Sequence, residues 1–206
     1  MTRRIVAVTV TALALTLMFH SAANAQVGKS QGLADANTAP EAELAKMPSM
    51  TPEIAKALVA ARPFDTAVDL NKFLLSQKLT QEQANAFYAK AFVHINLNTA
   101  TNEEILLVPG AGRRMAREFP EYRPWRTYAQ FDKEIGKYVG AEATAKLAQY
   151  TFIPMNANTA ADNDLMTVPG ATQAWADAVK KGRPYKTAAD LEKTAGKAQA
   201  RFFVVE

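Results

Sequence analysis

The apolar positions of the chain fall at helical spacing in short, well-separated segments. Three of these segments contain an apolar pair spaced by four residues: Ile54 and Leu58, Met115 and Phe119, and Trp175 and Val179. Apolar side chains spaced in this way share one face of a helix, so each segment predicts an amphipathic helix with a buried stripe. Proline or glycine lies between the segments, and proline cannot continue a helix. The pattern therefore predicts an all-α fold made of short helices.

The helical segments recur in three similar copies. The tripeptide Asn-Thr-Ala begins at residues 37, 98 and 158, at offsets of 61 and 60 residues. The same offsets relate three Arg-Pro-aromatic sequences: Arg62-Pro63-Phe64, Arg123-Pro124-Trp125 and Arg183-Pro184-Tyr185. Self-similarity at a fixed period indicates one structural unit used repeatedly. We predict three tandem units over residues 35–95, 96–155 and 156–206, each built of two helix-hairpin-helix elements.

Polar side chains near the helix ends suggest how those ends are completed. Thr38 with Glu41 and Thr101 with Glu104 have the spacing of a capping box, in which each side chain bonds the other residue's backbone amide. The three repeated arginines, Arg62, Arg123 and Arg183, are predicted to satisfy the last carbonyls of the preceding helix and its dipole. The repeated aromatics Phe64, Trp125 and Tyr185 are predicted to be core residues.

The first 25 residues have the features of a secretory signal. Arg3 and Arg4 precede an apolar run from Ile5 to Phe19, and Ala23-Asn24-Ala25 is a small-residue cleavage site. The run is shorter than the roughly 20 residues that a membrane-spanning helix needs. We therefore expect a signal peptide over residues 1–25, a flexible linker over 26–34, and a periplasmic protein that meets the membrane only through an uncleaved signal.

The composition limits the chemistry. Lys and Arg number 24 against 20 Asp and Glu, and removing the two signal arginines leaves 22 against 20, or +2. The chain has no Cys, and His94 is the only His beyond the signal, set in an apolar run that predicts a partly buried connector. These residues lack the usual parts of a zinc site or a catalytic triad. We predict no enzyme, metal, cofactor or small-molecule substrate.

The local motif that is most indicative of function lies in the middle copy, and it is a glycine-bearing hairpin between two predicted helices. Glycine allows a backbone to turn tightly and lets a phosphate approach without a Cβ in the way. The free N–H groups at the start of the following helix, with its dipole, favour an anion. Arginines in the first turns of that helix suit two adjacent phosphates. The candidate nucleic-acid-binding residues are Gly110, Ala111, Gly112, Arg113, Arg114 and Arg117.

The motif resembles the helix-hairpin-helix of DNA-binding proteins that lack sequence specificity. With its Asn-Thr-Ala start, Pro-Gly-x-Gly hairpin and Arg-Pro-aromatic sequence, the whole unit is similar to the exported competence DNA receptors of the ComEA family. This resemblance implies an all-helical fold and sequence-independent binding of double-stranded DNA through hairpin amides, with DNA uptake as the process. It assigns the phosphate contacts to Gly110, Ala111 and Gly112, supported by the three arginines.

The other two copies depart from this motif. The first has Pro48-Ser49-Met50-Thr51 with no glycine, followed by Glu53, whose carboxylate would repel phosphate. The third retains one glycine but has Thr172 in place of the second. It forms a secondary, weaker candidate site: Gly170, Ala171, Thr172, Lys180 and Lys181. With so little net charge we expect weak DNA affinity and a shallow dependence on salt.

An alternative function remains open at this point. Similar helical units serve protein contacts in the extrinsic photosystem subunit PsbU, which the chain also resembles. The near-neutral charge and the two altered hairpins favour such a non-enzymatic periplasmic interaction or structural module that has lost DNA binding. Its partner would be an exported or membrane protein. Fold alone does not decide between these functions.

Overall fold

The computed structural model of the protein describes residues 33–206, most of which are helical, as the pattern predicts. The predicted signal peptide over 1–25 lies outside the described residues, as does most of the predicted linker. Leu33 is buried and Ala34 begins a strand, so the linker prediction is wrong for its last two residues. Leu33 is part of the buried apolar cluster of the first two copies, and Ala34 packs against that cluster and pairs with Ala91.

Short helices follow one another through the three copies. The first copy contains α1 (Glu41–Leu44), α2 (Pro52–Ala61), α3 (Ala67–Ser76) and α4 (Gln81–Tyr88). The second contains α5 (Asn102–Leu107), α6 (Arg113–Glu121) and α7 (Tyr128–Ala148). The third contains α8 (Asp162–Leu165), α9 (Gln173–Lys181), α10 (Ala188–Ala195) and α11 (Lys197–Ala200). Gly140 interrupts α7 with a positive φ of 78°, so α7 is two helical segments that meet at this glycine.

Each copy is closed by a pair of two-residue parallel strands. The strands are β1 (Ala34–Asp35), β2 (Ala91–Phe92), β3 (Ile95–Asn96), β4 (Thr151–Phe152), β5 (Met155–Asn156) and β6 (Phe203–Val204). β1 pairs with β2, β3 with β4, and β5 with β6. Parallel pairing requires a long crossover, which the intervening helices supply. The first and last residues of each copy are thereby joined.

A set of hydrogen bonds between the Asn-Thr-Ala turn and the Arg-Pro-aromatic loop explains why these two sequences recur together. In the middle copy the Arg123 guanidinium donates from Nε to the Leu97 carbonyl at 2.8 Å and from Nη2 to the Ala100 carbonyl at 2.6 Å. The Asn98 side chain accepts from the Trp125 amide at 2.6 Å and donates to its carbonyl at 3.0 Å. These bonds fasten the turn before α5 to the loop after α6. Burial lowers the pKa of Arg123 while the nearby Glu104 opposes that shift.

Equivalent arginine hydrogen bonds occur in the outer copies, and they show that the role predicted for the arginines is wrong. Arg62 donates to the Ala36 and Ala39 carbonyls, both at 2.7 Å. Arg183 donates to the Ala157 and Ala160 carbonyls at 2.8 and 2.7 Å. The three arginines therefore bond the Asn-Thr-Ala turn and not the carbonyls that end the preceding helix. A planar guanidinium can bridge two carbonyls at once, and this explains why arginine occupies the position in each copy.

One of the two predicted capping boxes is confirmed. The Thr101 hydroxyl accepts from the Glu104 amide at 3.2 Å, and the Glu104 carboxylate accepts from the Thr101 amide at 2.8 Å. The prediction for Thr38 and Glu41 is wrong, because α1 begins at Glu41 with Pro40 as its N-cap. Glu41 is thus the first helical residue and lies two positions too early for a capping box.

The hydrophobic core has two parts. One cluster of buried side chains runs through the first two copies from Leu33 to Ile153, and a second fills the third copy from Phe152 to Phe203. Trp125, which is 1% exposed, packs against the tilted Phe131 ring with 5.3 Å between ring centroids and donates from Nε1 to the Phe119 carbonyl at 2.8 Å. Phe64 and Tyr185 are also buried, which confirms the core role predicted for the repeated aromatics.

The third copy packs against the first. Lys197 Nζ lies 2.9 Å from a carboxylate oxygen of Asp65, and Arg201 donates to the His94 carbonyl at 2.7 Å. A Cβ added to Gly170 would lie 3.1 Å from Cβ of Thr38, so the third hairpin approaches the first Asn-Thr-Ala turn closely. The hairpin of the third copy is thus partly covered by the first.

Candidate nucleic-acid interface

The hairpin of the middle copy is a tight turn between α5 and α6. Gly110 adopts a φ of +86°, a conformation that favours glycine, and is exposed. The Ala111 amide donates to the Val108 carbonyl at 2.9 Å, and its side chain is only 9% exposed. Ala111 therefore closes the turn with its own N–H. Because of this internal bond, Ala111 anchors the hairpin and offers no free amide to a phosphate. Its role therefore differs from the phosphate contact that the resemblance implies.

The start of α6 differs from the corresponding helix starts in the other copies. In the first copy the Thr51 hydroxyl accepts from the Ile54 amide, and in the third the Thr172 hydroxyl accepts from the Trp175 amide, both at 3.2 Å. In the middle copy Gly112 is the N-cap, and it has no side chain to accept a hydrogen bond. The first-turn amides of α6 thus lack the side-chain cap found in its two counterparts.

The backbone at this helix start is sterically open. A Cβ built onto Gly112 would meet no atom within 4 Å among the described residues. Uncapped first-turn N–H groups and the positive end of the helix dipole together favour an anion. An anion approaching Gly112 would therefore meet main-chain donors directly.

Three exposed arginines surround these amides. Arg113, Arg114 and Arg117 are all exposed. Within residues 33–206 no carboxylate lies within 4.0 Å of any of the three, although Glu118 and Glu121 are on the same helix. The cations are therefore not neutralised by direct ion pairs in the described part of the chain, and they are available to a phosphate.

Two neighbouring surfaces were not predicted from the sequence. A shallow groove beside the arginines is lined by Asn102, Leu106, Arg113, Ala116 and Arg117. Leu106 is 49% exposed there, and an isolated exposed leucine has no signal in a sequence. On the other side, the Arg114 guanidinium carbon lies 4.5 Å from the ring centroid of Tyr138 in α7. The sequence places Tyr138 24 residues from Arg114, so only the packing of α7 on α6 reveals this contact.

The candidate residues of the third copy do not form one open cationic surface. Lys180 lies 2.7 Å from a carboxylate oxygen of Asp162 and 3.1 Å from one of Asp177, and these hydrogen bonds raise its pKa. Gly170 faces Thr38, and Thr172 caps α9. Ala171 donates its amide to the Val168 carbonyl, as its counterpart does in the middle copy, and Lys181 is exposed.

The first hairpin carries negative charge where an anion would bind. Thr51 caps α2, and Glu53 lies in its first turn. Hydrogen bonds from its own backbone amide and from Thr51 lower the pKa of Glu53, which favours the carboxylate. A phosphate would be repelled here, as the sequence predicts. The middle copy alone combines an uncapped helix start with unpaired arginines, among the residues that the structure describes.

Metal-binding clusters and membrane-spanning helices are absent from the described residues. Within 33–206 no group of three or more His, Asp or Glu side chains is arranged to hold a metal ion. No helix there has the length and apolar character needed to cross a membrane. His94 is fully buried, not partly as predicted, and its Nδ1 lies 2.9 Å from the Asp35 carboxylate.

Comparison with protein-family models, with curated proteins and with solved structures finds no match to the chain. The fold and the site define a mostly helical protein with an open, arginine-lined hairpin.

Proposed function

We propose that the protein binds double-stranded DNA without sequence preference, through the hairpin of its middle copy. On this proposal the chain is an exported protein of the ComEA type, made of three tandem units that each contain two helix-hairpin-helix elements. The observation that carries the proposal is the uncapped start of α6, where Gly112 leaves main-chain donors open beside three arginines that form no ion pair within residues 33–206. DNA uptake is the process that the resemblance to ComEA suggests.

The chemistry of the hairpin suits a phosphodiester. Amides in the first turn of α6 would donate to phosphate oxygens, and the guanidinium groups of Arg113, Arg114 and Arg117 would supply charge-assisted hydrogen bonds. Contacts of this kind position a protein on the backbone and carry no information about base sequence. The outer copies would act mainly as a scaffold, since one hairpin carries a carboxylate and the other is packed against the first copy.

A titration at varied salt tests this proposal. Fluorescence anisotropy of labelled duplexes should report a dissociation constant of about 10⁻⁶–10⁻⁴ M at physiological salt, equal for duplexes of unrelated sequence. If three arginines neutralise phosphates, the logarithm of the association constant should fall with that of salt concentration with a slope of about −3. If the anisotropy of the duplex does not change on addition of protein even at low salt, the proposal is contradicted. A strong preference for one duplex sequence would also contradict it.

One observation favours a second function, that of a protein-interaction module. The third copy already places its hairpin against the first copy, with Gly170 at Thr38 and ion pairing between Lys197 and Asp65. A hairpin of this type can therefore contact protein as well as present amides to an anion. If the titration shows no salt-sensitive DNA binding, an exported or membrane protein becomes the favoured partner of the middle hairpin.

A further inference from the structure

The three arginines of the middle hairpin have different surroundings. The Arg114 guanidinium lies over the face of the Tyr138 ring, 4.5 Å from its centroid. Across residues 33–206 neither Arg113 nor Arg117 has such a contact, an ion pair or a side-chain hydrogen bond. Arg114 thus has an aromatic ring to pack against, whereas Arg113 and Arg117 have no such partner within residues 33–206.

Tyr138 is itself fixed by a second tyrosine. Its hydroxyl is 2.7 Å from the Tyr122 hydroxyl, and the two rings lie 6.5 Å apart between centroids. Tyr122 in turn lies 5.9 Å from the buried Trp125 ring. The hydrogen bond to Tyr122, burial and the neighbouring Glu118 raise the pKa of Tyr138, so its hydroxyl stays protonated at neutral pH. We call Tyr122 and Tyr138 the aromatic platform.

The charged groups around the aromatic platform leave Arg114 as its unpaired cation. Lys137 Nζ lies 5.6 Å from the Tyr122 ring centroid, but Lys137 is paired with Glu134. Glu118 lies one helical turn beyond Arg114 and is not within ion-pair distance of it. Within the described residues the Arg114 guanidinium has no protein acceptor, so its N–H groups are available to an outside anion.

We propose, on the basis of the proposed function, that Tyr138 is a positioning residue for DNA phosphate, holding Arg114 beside the uncapped start of α6. The tyrosine does not touch the phosphate. It restricts the arginine before binding, so less side-chain freedom is lost when the phosphate arrives. Immobilising a long side chain ordinarily opposes binding, and prior ordering removes most of that penalty. A cation over an aromatic face is also stabilised in that position.

The proposal makes the arginines unequal in a measurable way. Arg114→Ala should weaken binding of a random-sequence duplex about tenfold or more, and Arg117→Ala, which removes the same charge, only about threefold. Arg114→Lys retains the charge but stacks less well on the ring, so it should weaken binding about threefold. Arg117→Lys is the matched comparison at an arginine without an aromatic partner, and it should weaken binding clearly less than Arg114→Lys does.

Changes at Tyr138 test the positioning role itself. Tyr138→Leu should weaken binding about three- to tenfold, while the salt slope stays near −3 because no charge is removed. Tyr138→Phe retains the ring and should bind within about twofold of the parent. Arg114→Ala, by contrast, should reduce the slope by about one. An unchanged slope would show that Tyr138 does not itself neutralise a phosphate, and the comparison of Tyr138→Phe with Tyr138→Leu separates the ring from the hydroxyl.

The outcomes distinguish this proposal from the function on which it rests. If the parent does not bind duplex DNA, both fail. If the parent binds and Arg114→Ala weakens binding, but Tyr138→Leu binds like the parent, the positioning role alone is overturned. Equal losses in Tyr138→Phe and Tyr138→Leu would also overturn it, since the ring would not be the active feature. Should Tyr138→Leu lower the thermal midpoint markedly, the Arg114→Lys and Arg117→Lys pair decides, and equal affinities in that pair overturn the proposal.

Discussion

The combined change Gly112→Glu, Arg113→Glu and Arg114→Glu is expected to weaken duplex binding at least 100-fold. It places a carboxylate against the open start of α6 and reverses two exposed cations, a change of −5 in net charge. Each charge-assisted hydrogen bond contributes about 1.5–3 kcal/mol, and a tenfold loss corresponds to about 1.4 kcal/mol. All three residues are exposed, so the fold should tolerate the change. Anisotropy titration at low salt gives the affinity, and circular dichroism checks the helix content.

A control with the same change in charge makes this result specific. Lys72→Glu, Lys186→Glu and Ala189→Glu together also change the net charge by −5, at exposed positions of the first and third copies. This variant should lose only a small part of the affinity, through long-range electrostatics. Equal losses in the two variants would mean that the overall charge, and not the middle hairpin, controls DNA binding.

Asp35→Ala is expected to lower the free energy of unfolding by about 3 kcal/mol. One Asp35 carboxylate oxygen lies 2.9 Å from His94 Nδ1, and the other accepts from the Asn37 amide at 2.9 Å. Both side chains are almost completely buried. His94 Nε2 already lacks a hydrogen-bond partner within the described residues, so the substitution would leave both ring nitrogens unpaired. Chemical denaturation measures the loss.

A milder substitution at the same position serves as the control. Asparagine occupies the equivalent positions of the other copies, where Asn96 and Asn156 each accept from the amide two residues later. Asp35→Asn should therefore retain the turn and cost clearly less than Asp35→Ala. A loss below about 1 kcal/mol for Asp35→Ala would show that the buried pair contributes little net stability. Neither variant should change DNA affinity, because Asp35 is not part of the middle hairpin.

The repeated pattern was sufficient to predict the helical character of the chain and the position of three helices. Apolar spacing locates α2, α6 and α9, and Gly110 marks a turn that requires a positive φ. These features depend on residues close together in the chain, so a local pattern contains them. The capping box of Thr101 and Glu104 is predictable for the same reason.

Features that depend on distant residues could not be predicted in this way. Arg123 bonds carbonyls 26 and 23 residues away, so its position after a helix suggested a role at the helix end instead. The paired strands are only two residues long, too short for an alternating pattern. The contact of Gly170 with Thr38 and the position of Tyr138 over Arg114 arise only when helices and copies pack together.

The absence of a cap at α6 is central to the proposed phosphate contact, and Gly112→Thr tests it most directly. Gly112 has φ −93° and ψ −175°, close to the extended conformation in which Thr51 and Thr172 cap their helices. A Cβ fits there without contact. The new hydroxyl should accept the Met115 amide and stabilise the protein by about 0.5–1 kcal/mol. The same hydroxyl would compete with a phosphate for that amide.

The decisive measurement compares duplex affinity and unfolding free energy for Gly112→Thr and the parent. We expect the variant to be more stable and to bind DNA about tenfold more weakly, with the salt slope unchanged because every arginine remains. Weaker binding in a more stable protein cannot result from unfolding. A variant that gains stability and binds duplex DNA as tightly as the parent would contradict a role for the open amides.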